Sequence, residues 1–393
     1  MIISLPFMMF MIGLELIGLK SQPRGFKSNR AGRVLTKGNC IVMFPTNGVG
    51  FGHFTRTLAI AKRMKALDSS LEIIFFTTMP TLHLLKPYGI PAHHISGPKY
   101  FKGIDSQEWN ALLEEELTLC LEVHKPSMFL FDGAFPYRGM LRAIQERTNL
   151  NKIWMRRGMF RKGAKVPVDS IQHFDTIIRP GDGVDENEEE LEHGLEILKS
   201  PPIVLLDKSE LMTSEEARYR LGIAEASRVV YVQLGAGQIN DISSEIRMTL
   251  DELLRHEDIH VILGESMIGS RIEVELPNVH VLRDYPNSQY FNAFDAVIQA
   301  GGYNSFHETR AFGLPALFYP NLETGMDDQL ARCLVAEAEG WGYVVENRTE
   351  ESIRIGIEKL LNHPQVQLTN AEYNDADSLT LELINRLEAW DSG

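Results

Sequence analysis

The sequence predicts an α/β protein that contains two parallel, doubly wound sheets. Short apolar runs recur without polar alternation, which is typical of strands buried on both faces, and helical stretches separate them. With 393 residues, the chain is long enough for two domains with separate cores. The predicted strands of the first half are Cys40–Pro45, Glu72–Thr77, Ser127–Phe131 and Lys152–Met155, and those of the second half are Val229–Leu234, His260–Leu263, Val279–Leu282, Ala296–Gln299 and Ala316–Tyr319.

Changes in composition divide the chain into four segments. Residues 1–38 form an apolar and basic leader, residues 39–200 and 201–370 form the two domains, and residues 371–393 form a C-terminal helix. An acidic stretch, Asp182–Glu196, lies between the domains and is interpreted as a solvated helix or loop. Pro201–Pro202 follows it and is predicted to be the hinge.

Composition excludes several classes of protein. The chain is 44% hydrophobic and 23% charged, as is ordinary for a globular protein. Its formal charge of -14 speaks against a general nucleic-acid binder, which needs a basic surface to neutralise phosphates. Cys40, Cys120 and Cys333 are scattered without metal or redox spacing. They predict reduced thiols, a cytoplasmic location and no zinc site.

The leader has two interpretations. It is apolar from Met1 to Leu14, but Glu15 interrupts this run before it reaches the roughly 20 residues of a membrane span. The leader also lacks the basic residues with which a secretory signal begins. Residues 20–37 carry only basic charges, so the leader is either a peripheral anchor at the inner face of an anionic membrane or a disordered or misassigned start.

The most informative segment is Gln299–Glu308, in which two glycines end an apolar strand and open a helix. Asn304 and Ser305 lie in the first turn of that helix, where unpaired N–H groups and the helix dipole attract anions. Glu308 comes four residues after Asn304, so it faces the same side and can accept hydrogen bonds from sugar hydroxyls. Phosphate at the helix N-terminus and a carboxylate one turn later predict a nucleotide pocket. The alternative is an empty strand–helix turn.

This segment resembles the donor-binding box of GT-B glycosyltransferases, in particular plant-type UDP-sugar transferases and the peptidoglycan N-acetylglucosaminyltransferase. The resemblance implies two Rossmann-like domains that face each other across a cleft, with the acceptor in the first and the nucleotide sugar in the second. Ala300 replaces the histidine that opens the plant-type box, so one phosphate donor of that family is missing. By this resemblance, Asn304, Ser305 and the backbone of Gly301 and Gly302 contact the diphosphate, Glu308 holds the ribose, Gly313–Pro315 forms the expected turn, and Asp328 and Gln329 hold the donor sugar.

A second glycine cluster, Gly48–His53, follows the first predicted strand. It is not a dinucleotide fingerprint, because no third glycine stands at the required spacing. It resembles the loop that opens the first domain of the same transferases, where Gly50 and Gly52 lie on the acceptor side and His53 faces the cleft. Imidazole has an ordinary pKa of about 6.5, so neutral His53 can accept a hydroxyl proton as a general base. A structural or solvated histidine is the alternative.

Asp132 ends a predicted strand, Met128–Asp132, and is predicted to orient His53. In plant-type enzymes an aspartate at the end of a comparable strand has this role. The alternative is a helix cap or turn residue.

Two further loops complete the predicted site. Gly235 and Gly237 follow the strand Val229–Leu234 and are similar to a loop beside the donor phosphates, although two glycines also fit a plain turn. The loop Arg283–Pro286 resembles the one that frames the uracil. Arg156 and Arg157 begin a basic run that is either an acceptor contact for an anionic substrate or a solvated loop.

The resemblance implies transfer of a hexose or N-acetylhexosamine from a UDP-sugar to an acceptor hydroxyl. The acceptor is a glycan, a lipid-linked sugar or a small molecule, and inversion at the anomeric carbon is expected from the family alone. Helix dipoles and N–H groups neutralise the leaving diphosphate, so neither a metal nor a cofactor is expected. The alternatives are a UDP-sugar 2-epimerase of the same fold and a non-catalytic subunit that binds nucleotide sugars.

Overall fold

Two parallel sheets, one of seven strands and one of six, organise the protein. The computed structural model describes residues 40–46, 50–156, 168–183, 195–224, 227–235, 242–269, 271–324, 327–363 and 376–392. Every strand pairs in parallel with its neighbours, and helices lie between most of the successive strands. The prediction of two parallel α/β sheets is confirmed. The leader, residues 1–38, lies outside the described residues.

The first sheet has the strand order β3-β2-β1-β4-β5-β6-β7. Its strands are β1 Cys40–Pro45, β2 Glu72–Thr77, β3 Ala92–His94, β4 Met128–Asp132, β5 Asn151–Met155, β6 Thr176–Pro180 and β7 Glu196–Ser200. The α-helices of this half are α1 Gly52–Leu67, α2 Ser106–His124, α3 Arg138–Gln145 and α4 Val168–Ile171. The strands β1 and β4 are wholly buried, which explains their uninterrupted apolar sequences.

The second sheet repeats this arrangement with the order β10-β9-β8-β11-β12-β13. Its strands are β8 Arg228–Gln233, β9 Ile259–Gly264, β10 Val279–Leu282, β11 Ala296–Gln299, β12 Ala316–Phe318 and β13 Gly342–Val344. The remaining α-helices are α5 Ser214–Leu221, α6 Ser243–Leu253, α7 Tyr303–Phe312, α8 Gln329–Ala338, α9 Glu350–Leu361 and α10 Ala376–Ser392.

Each sheet reverses its strand order once, between β1 and β4 and between β8 and β11. Ligands of open α/β sheets bind beyond the carboxyl ends of the strands at such reversals. Pro45 and Asp132 are register partners at the end of the first pair, and Gln233 and Gln299 are partners at the end of the second. The start of α1, Gly301–Gly302 and Asp132 therefore lie where this rule expects a site.

The two halves belong to one compact unit and are joined at several points. The helix α10 crosses back onto the first half, where it packs against α1, and Arg386 Nη1 donates to Glu196 Oε2 at 2.7 Å. None of the described helices is both long enough and apolar enough to span a membrane.

The acidic stretch after β6 is not uniformly solvated, so that interpretation was wrong at its first residue. Asp182 is 1% exposed, and its carboxylate accepts from Arg332 Nε at 2.6 Å and from Arg332 Nη2 at 2.7 Å. His307 Nε2 lies 3.3 Å from the same carboxylate. A buried carboxylate needs such partners, and they come from the second half of the chain. Residues 184–194 of the stretch lie outside the described residues.

Candidate active site

A cleft of about 490 Å³ lies between the carboxyl ends of the two sheets. The loop after β1 and the start of α1 line one wall. The opposite wall comes from the second sheet, mainly from the loops after β8, β9, β10 and β11 and from the start of α7. Residues of both halves line the cleft, so a molecule bound in it contacts both halves of the chain.

His53 and Asp132 meet at the first wall. His53 lies in the first turn of α1, and its Nδ1 is 2.7 Å from Asp132 Oδ1 at the end of β4. An ionised carboxylate only accepts hydrogen bonds, so Nδ1 carries the proton and Nε2 carries the lone pair. The side chain of His53 is 18% exposed, whereas Asp132 is fully buried. This arrangement can orient a general base.

Arg56 is a third member of this group and was not predicted. Arg56 Nε donates to Asp132 Oδ2 at 3.0 Å, and Arg56 Nη2 donates to Asp132 Oδ1. Burial opposes ionisation of Asp132, but the charges and hydrogen bonds of Arg56 and His53 outweigh it, and the pKa of this carboxyl lies below its ordinary value. Arg56 Nη2 is also 3.2 Å from His53 Nδ1, but the ionised carboxylate is the stronger acceptor for both groups.

The second wall is built around Gly301 and Gly302. Gly301 has φ +77°, a left-handed conformation that favours glycine, and Gly302 is the N-cap of α7. Asn304 and Ser305 follow in the first turn of α7, and both line the cleft. The N-terminus of α7 thus presents N–H groups and two small polar side chains to the cleft, as an anion site requires. Asn304 Nδ2 also donates to Gly52 O at 3.3 Å, across the cleft.

Glu308 lies one turn further along α7 and also lines the cleft. Its Oε1 accepts a hydrogen bond from Ser288 Oγ at 3.0 Å. Burial raises the pKa of Glu308 to about 7, against a smaller lowering by that hydrogen bond. The carboxyl therefore changes its charge near neutral pH.

Tyr285 lines the cleft and contacts the first half of the chain. Its hydroxyl lies 2.9 Å from Thr55 Oγ1, and its ring lies 5.2 Å from the ring of Phe51, between centroids. Asp284, Tyr285 and Pro286 all line the cleft. The loop after β10, which resembles a base-framing loop, is therefore placed at the cleft.

The other predicted residues are placed as follows. Gly50, Gly52, Gly235 and Gln329 line the cleft. Asp328 instead caps α8, where its Oδ1 accepts from Ala331 N at 3.0 Å, and its neighbour Asp327 lines the cleft. Arg156 is buried, does not line the cleft, and has its guanidinium 5.6 Å from the Trp154 ring. Gly237 and Arg157 lie outside the described residues.

Substitution of Gly301 by alanine should destabilise the protein. An added Cβ would lie 2.2 Å from Cys333 Sγ, and Cys333 is fully buried. The clash with Cys333 and the positive φ at residue 301 are together expected to lower the free energy of unfolding by about 1–3 kcal/mol. Urea unfolding measures it. Gly302→Ala is the matched control, because nothing lies within 4 Å of its added Cβ and its φ is -61°. Equal stability of the two variants would contradict this account of the loop.

Comparisons with known proteins agree with this geometry at the level of the fold. No family model matches the chain. A 97-residue stretch is 31% identical to an uncharacterized glycosyltransferase of Methanosarcina acetivorans, an alignment that spans 24% of this chain and 24% of the relative. Among solved structures, the calicheamicin glycosyltransferase CalG4 superposes with a TM-score of 0.61 at 14% identity, over 90% of this chain and 98% of CalG4.

Two further structures are similar over about nine-tenths of the chain. MurG of Acinetobacter baumannii gives a TM-score of 0.52 at 13% identity, over 89% of this chain and 99% of MurG. The spinosyn rhamnosyltransferase SpnG in complex with thymidine diphosphate gives 0.52 at 13% identity, over 89% of this chain and 96% of SpnG. The chain has the GT-B fold of these glycosyltransferases.

Proposed function

We propose that this protein is a glycosyltransferase that moves a sugar from a nucleoside diphosphate, most simply UDP, to an acceptor hydroxyl. The observation that carries the proposal is the position of His53 and Asp132 across one cleft from the glycine-opened start of α7. A proton acceptor on one wall and an anion site on the other are the two elements that this transfer needs. The GT-B fold of known glycosyltransferases supports the same reaction.

In the proposed mechanism, His53 Nε2 takes the proton of the acceptor hydroxyl as its oxygen attacks the anomeric carbon. The bond between that carbon and the diphosphate oxygen breaks, and the electron pair leaves with the diphosphate. The N-terminus of α7 stabilises the new charge together with Asn304 and Ser305. These groups supply the required positive potential without a metal ion. A single displacement of this kind inverts the anomeric carbon.

The nucleobase of the sugar donor and the identity of the acceptor are more specific proposals. UDP is proposed because the Gln299–Glu308 segment resembles the donor-binding box of UDP-sugar transferases. The solved SpnG complex holds thymidine diphosphate instead, so either pyrimidine nucleotide fits the proposal. The acceptor is a glycan, a lipid-linked sugar or a small molecule. A lipid-linked acceptor would give the basic residues of the leader a membrane surface to bind.

An assay of nucleotide release tests the proposal. Purified protein is incubated with UDP-, TDP-, GDP- and ADP-linked sugars, without acceptor and then with acceptor pools, and the free nucleoside diphosphate is measured. Release from a UDP- or TDP-sugar, increased by an acceptor, is the expected result. Tight binding without release would support a non-catalytic binding subunit, and free N-acetylmannosamine from UDP-N-acetylglucosamine would support an epimerase.

The affinity for a nucleotide sugar should rise between pH 6 and pH 8. The pKa of Glu308 in the empty cleft is about 7, and its ionised form is the better acceptor for ribose hydroxyls. The ionised fraction grows about tenfold across this range, so Kd should fall by about the same factor. Isothermal titration with UDP-glucose, which has no group that titrates there, gives the profile. Glu308→Gln should bind weakly with a flatter profile, whereas an unchanged slope in that variant would assign the effect to another residue.

A further inference from the structure

A histidine–cysteine–histidine cluster lies in the first half of the chain, away from the cleft. His93 is on the edge strand β3, and Cys120 and His124 are on α2. The Sγ atom and one ring nitrogen of each histidine all lie within 4.8 Å of one another. Cys120 and His124 are four residues apart on one helix, so they face the same side. None of the three lines the cleft.

We propose that His93, Cys120 and His124 bind a divalent transition-metal ion, with zinc as the best candidate. Two imidazoles and one thiolate are the ligand types that zinc prefers, whereas calcium and magnesium prefer oxygen. Three protein ligands leave a fourth tetrahedral position for water. The cluster joins residues from two elements, so it is not a local feature of one helix.

The present spacing of the ring nitrogens requires a small adjustment. His93 Nε2 and His124 Nε2 are 2.9 Å apart, which is the distance of a hydrogen bond between two imidazoles. Tetrahedral coordination at about 2.0–2.1 Å per nitrogen would hold them roughly 3.3–3.4 Å apart. A shift of a few tenths of an ångström, within reach of side-chain rotation, would therefore convert the hydrogen-bonded pair into two metal ligands.

Metal binding would have two measurable consequences. Cys120 must give up its thiol proton, so one proton is released to solvent for each metal ion bound. The bound ion would also tie β3 to α2, and a ligand that binds only the folded state raises the midpoint of thermal unfolding. This departs from the expectation of no zinc site. Cysteine spacing alone could not pair Cys120 with a histidine that is 27 residues earlier on a strand.

Cobalt spectroscopy on the full chain, free of any histidine tag, tests the proposal. One equivalent of Co²⁺ should produce a thiolate-to-cobalt charge-transfer band, and Zn²⁺ should displace it. The band should disappear in Cys120→Ser and weaken strongly in His93→Gln. His94→Gln is the matched control, because successive residues of a strand point to opposite sides, and it should keep the band.

The outcomes separate the metal site from a hydrogen-bonded pair. No stoichiometric Co²⁺ or Zn²⁺ binding by the wild-type protein would overturn the proposal, as would a band that survives both Cys120→Ser and His93→Gln. Circular dichroism checks that the variants fold. If Cys120→Ser does not fold, the His93→Gln variant provides a second test. Sugar transfer is expected to persist in every folded variant, so this test is independent of the proposed reaction.

Discussion

Replacement of His53 by alanine should lower kcat/KM for sugar transfer by about 10²–10⁴-fold, as is usual when a general base is lost. The acceptor hydroxyl would then have no oriented group to take its proton. Affinity for the nucleotide should change little, because Asn304, Ser305 and Glu308 are on the other wall. Stability should also be preserved, since the His53 side chain is partly exposed and Asp132 keeps its ion pair with Arg56. Initial rates and isothermal titration measure the two effects.

His83→Ala is the control for this prediction. His83 is exposed and does not line the cleft, so its removal should leave the rate unchanged. A His53→Ala variant that binds nucleotide and still turns over at the wild-type rate would exclude His53 as the base. Loss of nucleotide binding together with the rate would instead show that His53 supports the cleft rather than the proton transfer.

Replacement of Asp182 by alanine should reduce the free energy of unfolding by about 3–5 kcal/mol. Arg332 is fully buried, and two of its hydrogen bonds go to the Asp182 carboxylate. Without that carboxylate, the guanidinium keeps hydrogen bonds to Asp327 Oδ1 at 2.7 Å and to Gly301 O at 2.9 Å within the described part of the chain. The Gly301 carbonyl belongs to the loop before α7, where we propose that the nucleotide binds, so weaker nucleotide binding should accompany the loss in stability. Urea unfolding and isothermal titration measure the two effects.

An exposed ion pair provides the comparison. Arg220 Nη2 and Glu216 Oε1 are 2.8 Å apart on α5, and both side chains are about half exposed. Removal of Glu216 should cost only about 0.3–0.5 kcal/mol. If Asp182→Ala cost no more than Glu216→Ala, the Asp182–Arg332 pair would not be the strong link between the two halves that its burial implies.

The sequence predicted most of the architecture because buried parallel strands have a clear signal. The strands β1 and β4 have no polar interruption before their last residues and were placed correctly. The strands β3, β6, β7 and β13 were not predicted. The run Glu196–Ser200 in β7, for example, contains a glutamate, a lysine and a serine, and its pattern is not apolar. An edge strand with one open side needs less apolar sequence, so its pattern is weak.

The candidate site was predictable where glycine marks it. Gly301 requires a positive φ and a close approach to Cys333, and such a position is visible in sequence as a glycine at the end of a strand. Arg56 was missed, although its spacing of three residues from His53 indicates the same face of α1. Asp182 could not have been found, because its partner Arg332 is 150 residues away and an acidic context favours a solvated interpretation.

The most direct test of the account is isothermal titration of the purified protein with UDP, TDP, GDP and ADP, with Glu308→Ala in parallel. We expect a pyrimidine nucleoside diphosphate to bind with 1:1 stoichiometry and the variant to bind it much more weakly, since Glu308 lines the cleft beside the start of α7. Binding of no nucleotide by folded protein, or equal affinity in the variant, would contradict the assignment of this cleft as a nucleotide-sugar site.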